Sequence, residues 1–266
     1  MKALLKCARP LEWRGYLGLY LAGAVQGGLY AAIKAETLVG LIAVFTPYMA
    51  ATYIANNVAD VDCDVNNPRK IRRNPVASGE LSRRTAVSAV AVLSVLGGLS
   101  SLLFLPRVLP VYLAALFLSM SYSLPPRFKC RPFLDLASHS LFFGALIVVM
   151  GALSASVNLD IYTVALSAVY SAFLELRNEL EDFEYDKGAG CLTTVCAFGP
   201  EKGRLAMHVT ALLSVFLAAL RIAELWFAIL SLPVLLVYSK EADRSVRAVD
   251  LYVALSFLIP ALGGLV

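Results

Sequence analysis

"NNVADVDCD", residues 56–64, crowds three aspartates and two asparagines into nine positions at the end of an apolar run. Whether that run crosses a membrane decides what the acids are for. The 266-residue chain is 59% hydrophobic and only 16% charged, with a mean hydropathy of +0.73, the composition of an integral membrane protein. Apolar runs recur through to the C-terminus, so they read as spans and not as a cleavable leader.

A helix needs roughly 20 apolar residues to cross about 30 Å of hydrocarbon. On that measure the sequence predicts nine transmembrane helices, near 14–33, 37–56, 85–105, 108–123, 134–154, 161–178, 205–220, 224–238 and 249–266. Pro106, Pro110, Pro233 and Pro260 mark starts or kinks. The expected fold class is an all-α membrane protein, one domain over 1–266, with two pseudo-repeats around a central cavity.

Basic residues collect in cytoplasmic loops. With the N-terminus inside, the inner segments hold most of the 23 Lys and Arg, among them Arg69, Lys70, Arg72, Arg73, Arg127, Lys129, Lys187, Lys240, Arg244 and Arg247. The outer loops hold Lys34, Arg107 and Arg221, and Arg177 lies at a helix end. The expected topology is therefore N-inside and C-outside, in the cell membrane, with residues 56–64 facing the cytoplasm. The net charge of +4 reads as topology determinants facing anionic lipid, not as a nucleic-acid surface. Cys7, Cys63, Cys130, Cys191 and Cys196 all map to the inner side without a CxxC pair, so reduced thiols are expected.

The opening stretch has a partner, "NELEDFEYD" at 178–186. A shift of 122 positions aligns Asn56 with Asn178, Asp60 with Asp182, Asp62 with Glu184 and Asp64 with Asp186. Each copy precedes a Gly-containing loop, "NPVASGELS" (74–82) and "KGAGCLTT" (187–194). Asp60, Asp62, Asp64, Glu175, Glu179, Glu181, Asp182, Glu184 and Asp186 make up nearly half of the 19 acidic residues. Internal symmetry of this kind often places a binding site at the repeat interface.

Residues four apart share a helix face, so Asp60 projects with Asp64 and Asp182 with Asp186. Two facing carboxylate pairs repel unless cations bridge them. Mg²⁺ suits such a site, since it takes one or two carboxylates and completes its shell with water and phosphate oxygens. Acids to hold metal, ringed by Arg and Lys, suit a diphosphate, and the position above a membrane cavity suits a polyprenyl tail. Neutralising the departing diphosphate lets the allylic C–O bond ionise, and an electron-rich acceptor attacks the cation. Tyr48, Tyr53, Phe142 and Phe143 are aromatic candidates for cation–π stabilisation, or plain packing residues.

The loop "YSLPPRFKCRPFLD" (122–135) reads either as a topology signal with a Pro-rich turn or as a lid closing Arg127 and Lys129 over phosphate. His139 and His208 lack ligand-like neighbours in sequence and are expected to be hydrogen-bonded structural residues.

This constellation resembles the UbiA superfamily of intramembrane prenyltransferases, whose motifs are NDxxDxxxD and DxxxD. Asn56, Asp60 and Asp64 match the first and Asp182 and Asp186 the second. "ARPLEW" (8–13), "NPVASGELS", the Tyr-to-Lys loop at 122–131, and Gly190 with Thr193 and Thr194 extend the likeness over nearly the whole chain. The resemblance implies nine helices and two Mg²⁺ ions held by Asn56, Asp60, Asp64, Asp182 and Asp186. It implies diphosphate contacts from Arg9, Arg73, Tyr122, Arg127, Lys129 and Asn178. The loops look most like the lycopene elongase and digeranylgeranylglyceryl phosphate synthase branches, so the expected acceptor is a carotenoid or a glyceryl phosphate ether lipid, with aromatic quinone-precursor, chlorophyll-type and phosphoribose acceptors also open. Two positions depart from the pattern: Asn57 replaces an Asp, and Asn74 stands where an Arg commonly precedes the Pro.

The rival reading is a transporter or ion pathway, since intramembrane acids and repeats mark those too. Here both acidic clusters fall at the inner helix ends, which favours the enzyme.

Overall fold

The computed structural model describes residues 1–65, 68, 70–240 and 242–263, with the backbone alone for 225, 235–240, 242–247 and 263. Arg69 and the last three positions of the predicted helix at 249–266 lie outside the described residues, as do the side chains of Lys240, Arg244 and Arg247. Helices joined by turns and loops make up the described residues, without a strand. The helices are α1 (Lys2–Ala8), α2 (Arg14–Ala24), α3 (Ala35–Ala59), α4 (Val61–Asp64), α5 (Arg83–Phe104), α6 (Leu109–Ser123), α7 (Leu134–Ala155), α8 (Ile161–Gly188), α9 (Thr194–Phe198), α10 (Pro200–Ile222), α11 (Leu225–Lys240) and α12 (Ala242–Gly263). By length and hydropathy α3, α5, α7 and α10 can each cross a bilayer, and α6 and much of α12 are shorter apolar helices.

Neighbours in space largely follow the chain. α3 packs on α5 and α6, α7 on α2 and α8, α8 on α10, and α12 on α10, α11 and α2. The tightest crossing joins α2 to α7. A Cβ on Gly23 would collide with the Val148 carbonyl oxygen and one on Gly151 with that of Tyr20, so only glycine admits this approach, as small residues do between membrane helices. α3 and α7 each contain a wide π turn, at Gly40–Phe45 and Ser140–Ala145. The buried Tyr48 hydroxyl of α3 donates to the Phe142 carbonyl in the second of them at 3.1 Å.

Three sequence expectations need correction. The predicted helix at 14–33 ends at Ala24, because Gly28 takes φ 92° and only short 3₁₀ turns follow. The helix predicted to end at 178 continues to Gly188, so Asn178, Asp182 and Asp186 stack on successive turns of one uninterrupted rod. The first acidic motif, by contrast, does not ride one helix. α3 stops at Ala59, Asp60 leaves helical geometry (φ −97°, ψ 8°), and α4 restarts at Val61. The break leaves the Asn57 carbonyl without its helical partner, and Asn74 Nδ2 supplies one at 2.8 Å.

Candidate active site

Where the C-terminal ends of α3 and α8 face each other, a cavity of about 720 Å³ opens. Both acidic motifs line it, with Asn56, Asp60 and Asp64 on one side and Asn178, Asp182 and Asp186 on the other. Arg9, Lys70, Arg73, Tyr122 and Lys129 also line it. Arg127 does not reach the wall; it stands behind Asp60, 3.1 Å from Oδ1, with Cys63 Sγ 3.7 Å away.

The carboxylates are held by cations and amides of the chain itself. Lys129 Nζ bonds both oxygens of Asp60. Lys70 pairs with Asp182 at 3.0 Å. Asp64 is buried and accepts from Asn74 Nδ2 at 2.9 Å. Asn56 Nδ2 donates to Ser123 Oγ on α6 at 3.4 Å, which fixes its amide at the wall.

Asn74 is the hub of the first motif. Its Nδ2 serves Asp64 and the Asn57 carbonyl, while its Oδ1 accepts from the Val76 and Ala77 amides at 3.0 and 3.2 Å. The departure from an Arg at this position thus leaves a neutral side chain that fully satisfies a buried turn. Asn57 turns away from the cavity. Its Nδ2 donates to the Cys7 carbonyl at 2.7 Å, and its Oδ1 accepts from Arg9 at 2.5 Å, pinning α1 and the left-handed Arg9 (φ 50°) beside α3.

Electrostatics around the mouth are strained in one direction. Burial, opposed by Lys70 and reinforced by Asp182, pushes the Asp186 carboxyl up to about 6. Burial also raises Asp64, against the Asn74 bond and with Asp60 adding to the rise. Burial works against the charge of Lys70, yet Asp182 and Asp186 hold its ammonium above the ordinary lysine range. Burial thus disfavours the charged forms of Asp64 and Asp186 despite the cations beside them, and a bound metal ion would offset that.

Among the described residues the His, Cys, Asp and Glu side chains form no preassembled group of three or more able to hold a metal ion. Mg²⁺ fits such a divided donor set, since it needs only one or two carboxylates when water and phosphate oxygens fill the rest of its shell.

Deeper, the wall turns aromatic. Tyr16 stacks on Phe143 with centroids 4.1 Å apart, Tyr53 lies 6.1 Å from Phe143, and Phe142 packs beside it. Tyr48 is buried away from the cavity and serves as a packing residue. His139 is hydrogen-bonded, as expected, but it stands on the cavity wall against Glu175, Nε2 3.2 Å from Oε2. Sequence reasoning passed over Lys70, Asn74, Tyr16 and Glu175 as site residues. Only Glu175 carried a signal, seven residues and so about two helical turns before Asp182 on the same face.

Two loops converge on the mouth, and here the expectation of reduced thiols fails: Cys130 and Cys191 form a disulfide, Cα atoms 4.7 Å apart. The partners are 61 residues apart in sequence, and only the folding of α7 and α8 brings their loops together. Behind the second loop, Thr194 amide and hydroxyl bond Asp135, and Glu179 accepts from the Val195 amide at 2.9 Å, so two buried acids tie down the start of α9.

Comparison with known proteins follows the same lines. The sequence profile of the UbiA prenyltransferase family matches residues 15–251. A lycopene elongase/hydratase of Halobacterium salinarum is 31% identical, over 98% of this chain and 96% of that protein. One from Haloferax volcanii is 34% identical over 73% of this chain, a match spanning 64% of that relative's length. Among solved structures, a UbiA homolog from Archaeoglobus fulgidus bound to GPP and Mg²⁺ superposes with a TM-score of 0.78 at 21% identity, covering 98% of both chains.

Proposed function

The chain belongs to the UbiA prenyltransferase family, membrane-embedded transferases of groups other than methyl, and from that premise we propose that it moves a polyprenyl group from an allylic polyprenyl diphosphate to a lipophilic acceptor. The observation that carries this reading is a cavity in which two acidic motifs and Lys70, Arg73 and Lys129 meet above an aromatic interior. The polar mouth suits the diphosphate and the apolar depth suits a hydrocarbon chain.

Asn56, Asp60, Asp64, Asp182 and Asp186 are the residues that would hold Mg²⁺, two ions in this reading. Bound Mg²⁺ supplies positive charge that stabilises the diphosphate as it departs. Lys129 and Lys70, now paired with Asp60 and Asp182, lie where their ammonium groups can turn to phosphate oxygens once those carboxylates bind metal. Arg127 steadies Asp60 from behind, and Tyr16, Tyr53, Phe142 and Phe143 exclude water from the allylic carbon and present ring faces to a cation.

The acceptor in this reading is a carotenoid-type polyene, supported by the relatives called lycopene elongase/hydratase. One domain over 1–266 crosses the cell membrane nine times, N-terminus inside, with the cavity mouth at the cytoplasmic surface; the distribution of Lys and Arg supports this orientation. The transporter reading is not favoured, because both acidic motifs gather at the same mouth of the cavity and the family is one of transferases.

The test is diphosphate release from geranylgeranyl diphosphate by the purified chain in lipid nanodiscs, with mass spectrometry of products. Release should need Mg²⁺ and fall at least about 100-fold in Asp60→Ala and Asp182→Ala. Wild-type release in EDTA, or in either variant, would rule the reading out.

A further inference from the structure

Prenyl transfer to a carbon acceptor leaves a loose end that neither the acidic motifs nor the lysines handle. When acceptor π electrons close on the prenyl carbon, a C–C bond forms, the C–O bond to diphosphate is broken, and positive charge passes to the acceptor. A neutral product then requires a base to take a C–H proton, the C–H electron pair becoming a new double bond. Such a base must stand among the aromatic residues, away from the diphosphate. Resting on the proposed prenyl transfer, we propose that Glu175 is this base, with His139 as the group that receives its proton.

Glu175 lines the cavity and is buried. It lies on the same face of α8 as Asp182, roughly 10 Å further along the axis at 1.5 Å per residue, which puts it below the mouth and against His139, whose ring packs on Phe142 and Phe143. No Lys or Arg pairs with it among the described residues. Its partners are the Tyr122 hydroxyl on Oε1, and His139 Nε2 at 3.2 Å and Asn178 Nδ2 at 3.5 Å on Oε2. Each carboxylate oxygen carries two lone-pair sites, so a substrate C–H can approach without displacing these bonds.

The pair is also built to store one extra proton. Ser171 Oγ lies 3.0 Å from His139 Nδ1 and 3.2 Å from the His139 carbonyl. With neutral His139 carrying its proton on Nδ1, Nδ1–H donates to Ser171 Oγ, the Ser171 hydroxyl donates to the His139 carbonyl, and the Nε2 lone pair faces Glu175. The proton that Glu175 takes up then passes to that lone pair, and the new Nε2–H donates back to the carboxylate while the bonds at Nδ1 stay as they were. Both states leave every donor satisfied, a property a purely structural histidine does not need. The same base can also take a proton from water that adds to the acceptor cation, with the new C–O bond replacing the double bond.

The experiment compares wild type, Glu175→Gln and His139→Gln in nanodiscs with Mg²⁺ and geranylgeranyl diphosphate, with lycopene as probe acceptor and with donor alone. In Glu175→Gln, diphosphate release should stay within about threefold of wild type while prenylated lycopene falls at least about 100-fold, the range of general-base contributions; His139→Gln should lose about tenfold. In the donor-only arm the prenyl cation loses a proton to give an olefin or takes water to give the alcohol. Glu175→Gln should lower the olefin-to-alcohol ratio about tenfold, whether or not lycopene is accepted. An unchanged ratio in both variants, or diphosphate release falling in step with transfer, overturns the proposal. Loss of release in wild type defeats instead the prenyl-transfer reading on which it rests. Should Glu175→Gln fail to fold, the ratio in His139→Gln decides.

Discussion

The two acidic motifs look like copies in sequence but are built differently. The second rides a continuous 28-residue helix, so hydrogen bonding along α8 alone sets the spacing of Asn178, Asp182 and Asp186. The first is broken at Asp60 and held by tertiary bonds, with Asn74 bridging Asp64 and the free Asn57 carbonyl, Asn57 bound to Arg9 and Cys7, and Asp60 clamped by Lys129 and Arg127. Equivalent chemistry is thus secured by local structure on one side and by a network on the other. The first side should be the more vulnerable to single changes.

The largest effect should come from the clamped acid. Removing Asp60 leaves Lys129 and Arg127 uncompensated as well as deleting a carboxylate, so Asp60→Ala should lower diphosphate release about 1000-fold and Asp182→Ala about 100-fold; equal losses would erase the asymmetry. Next, Asn74→Ala strips four hydrogen bonds from a buried turn while touching no substrate. Loss of such a supporting partner should weaken Mg²⁺ affinity about 10- to 100-fold, read by Mg²⁺ titration of thermal stability. A Glu181→Ala control at the exposed side of the second motif should leave it unchanged.

A pH experiment probes the second side. Asp186 is raised to about 6 in the folded protein from an ordinary 3.8, so between those values the folded chain holds the proton more tightly than the unfolded one. The metal-free protein should therefore lose stability as pH rises from about 4 to about 6. Because metal binds the ionised form, the melting shift caused by Mg²⁺ should grow as pH rises through about 6, and Asp186→Asn should flatten that step.

The smallest effect belongs to Asn57→Asp, which restores the family's charge. An Asp keeps an acceptor for Arg9 but loses the donor to the Cys7 carbonyl, a buried group whose desolvation costs about 1–3 kcal/mol when unpaired. Since Asn57 points away from the cavity, the melting temperature should fall with diphosphate release unchanged within about threefold. A large gain in release would show that this position reaches the proposed metal site after all.

Helical membrane architecture was legible in the apolar runs because every backbone group must be satisfied within the span. The acidic positions were legible because spacing along one chain survives folding. Lys70, Asn74 and Tyr16 were not, since a Lys in a basic loop, an Asn before a Pro and a Tyr in an apolar helix carry no local mark of what they face. The break at Asp60 stayed hidden for a related reason: an i, i+4 pattern assumes a straight helix, and the bond from Asn74 that makes the break tolerable spans 17 residues. His139 and Glu175 lie 36 positions apart in sequence, on different helices, so neither announced the other.

The bond between Cys130 and Cys191 also turns residues 130–191 into a macrocycle. α7 and α8 lie wholly within the covalent ring, joined at its far end by the short segment 156–160. A single protease nick near Asn158 would therefore yield two pieces that migrate as one chain until a reductant is added. The helix carrying His139 and the helix carrying Glu175 would stay tethered at the very end where the acidic motifs meet.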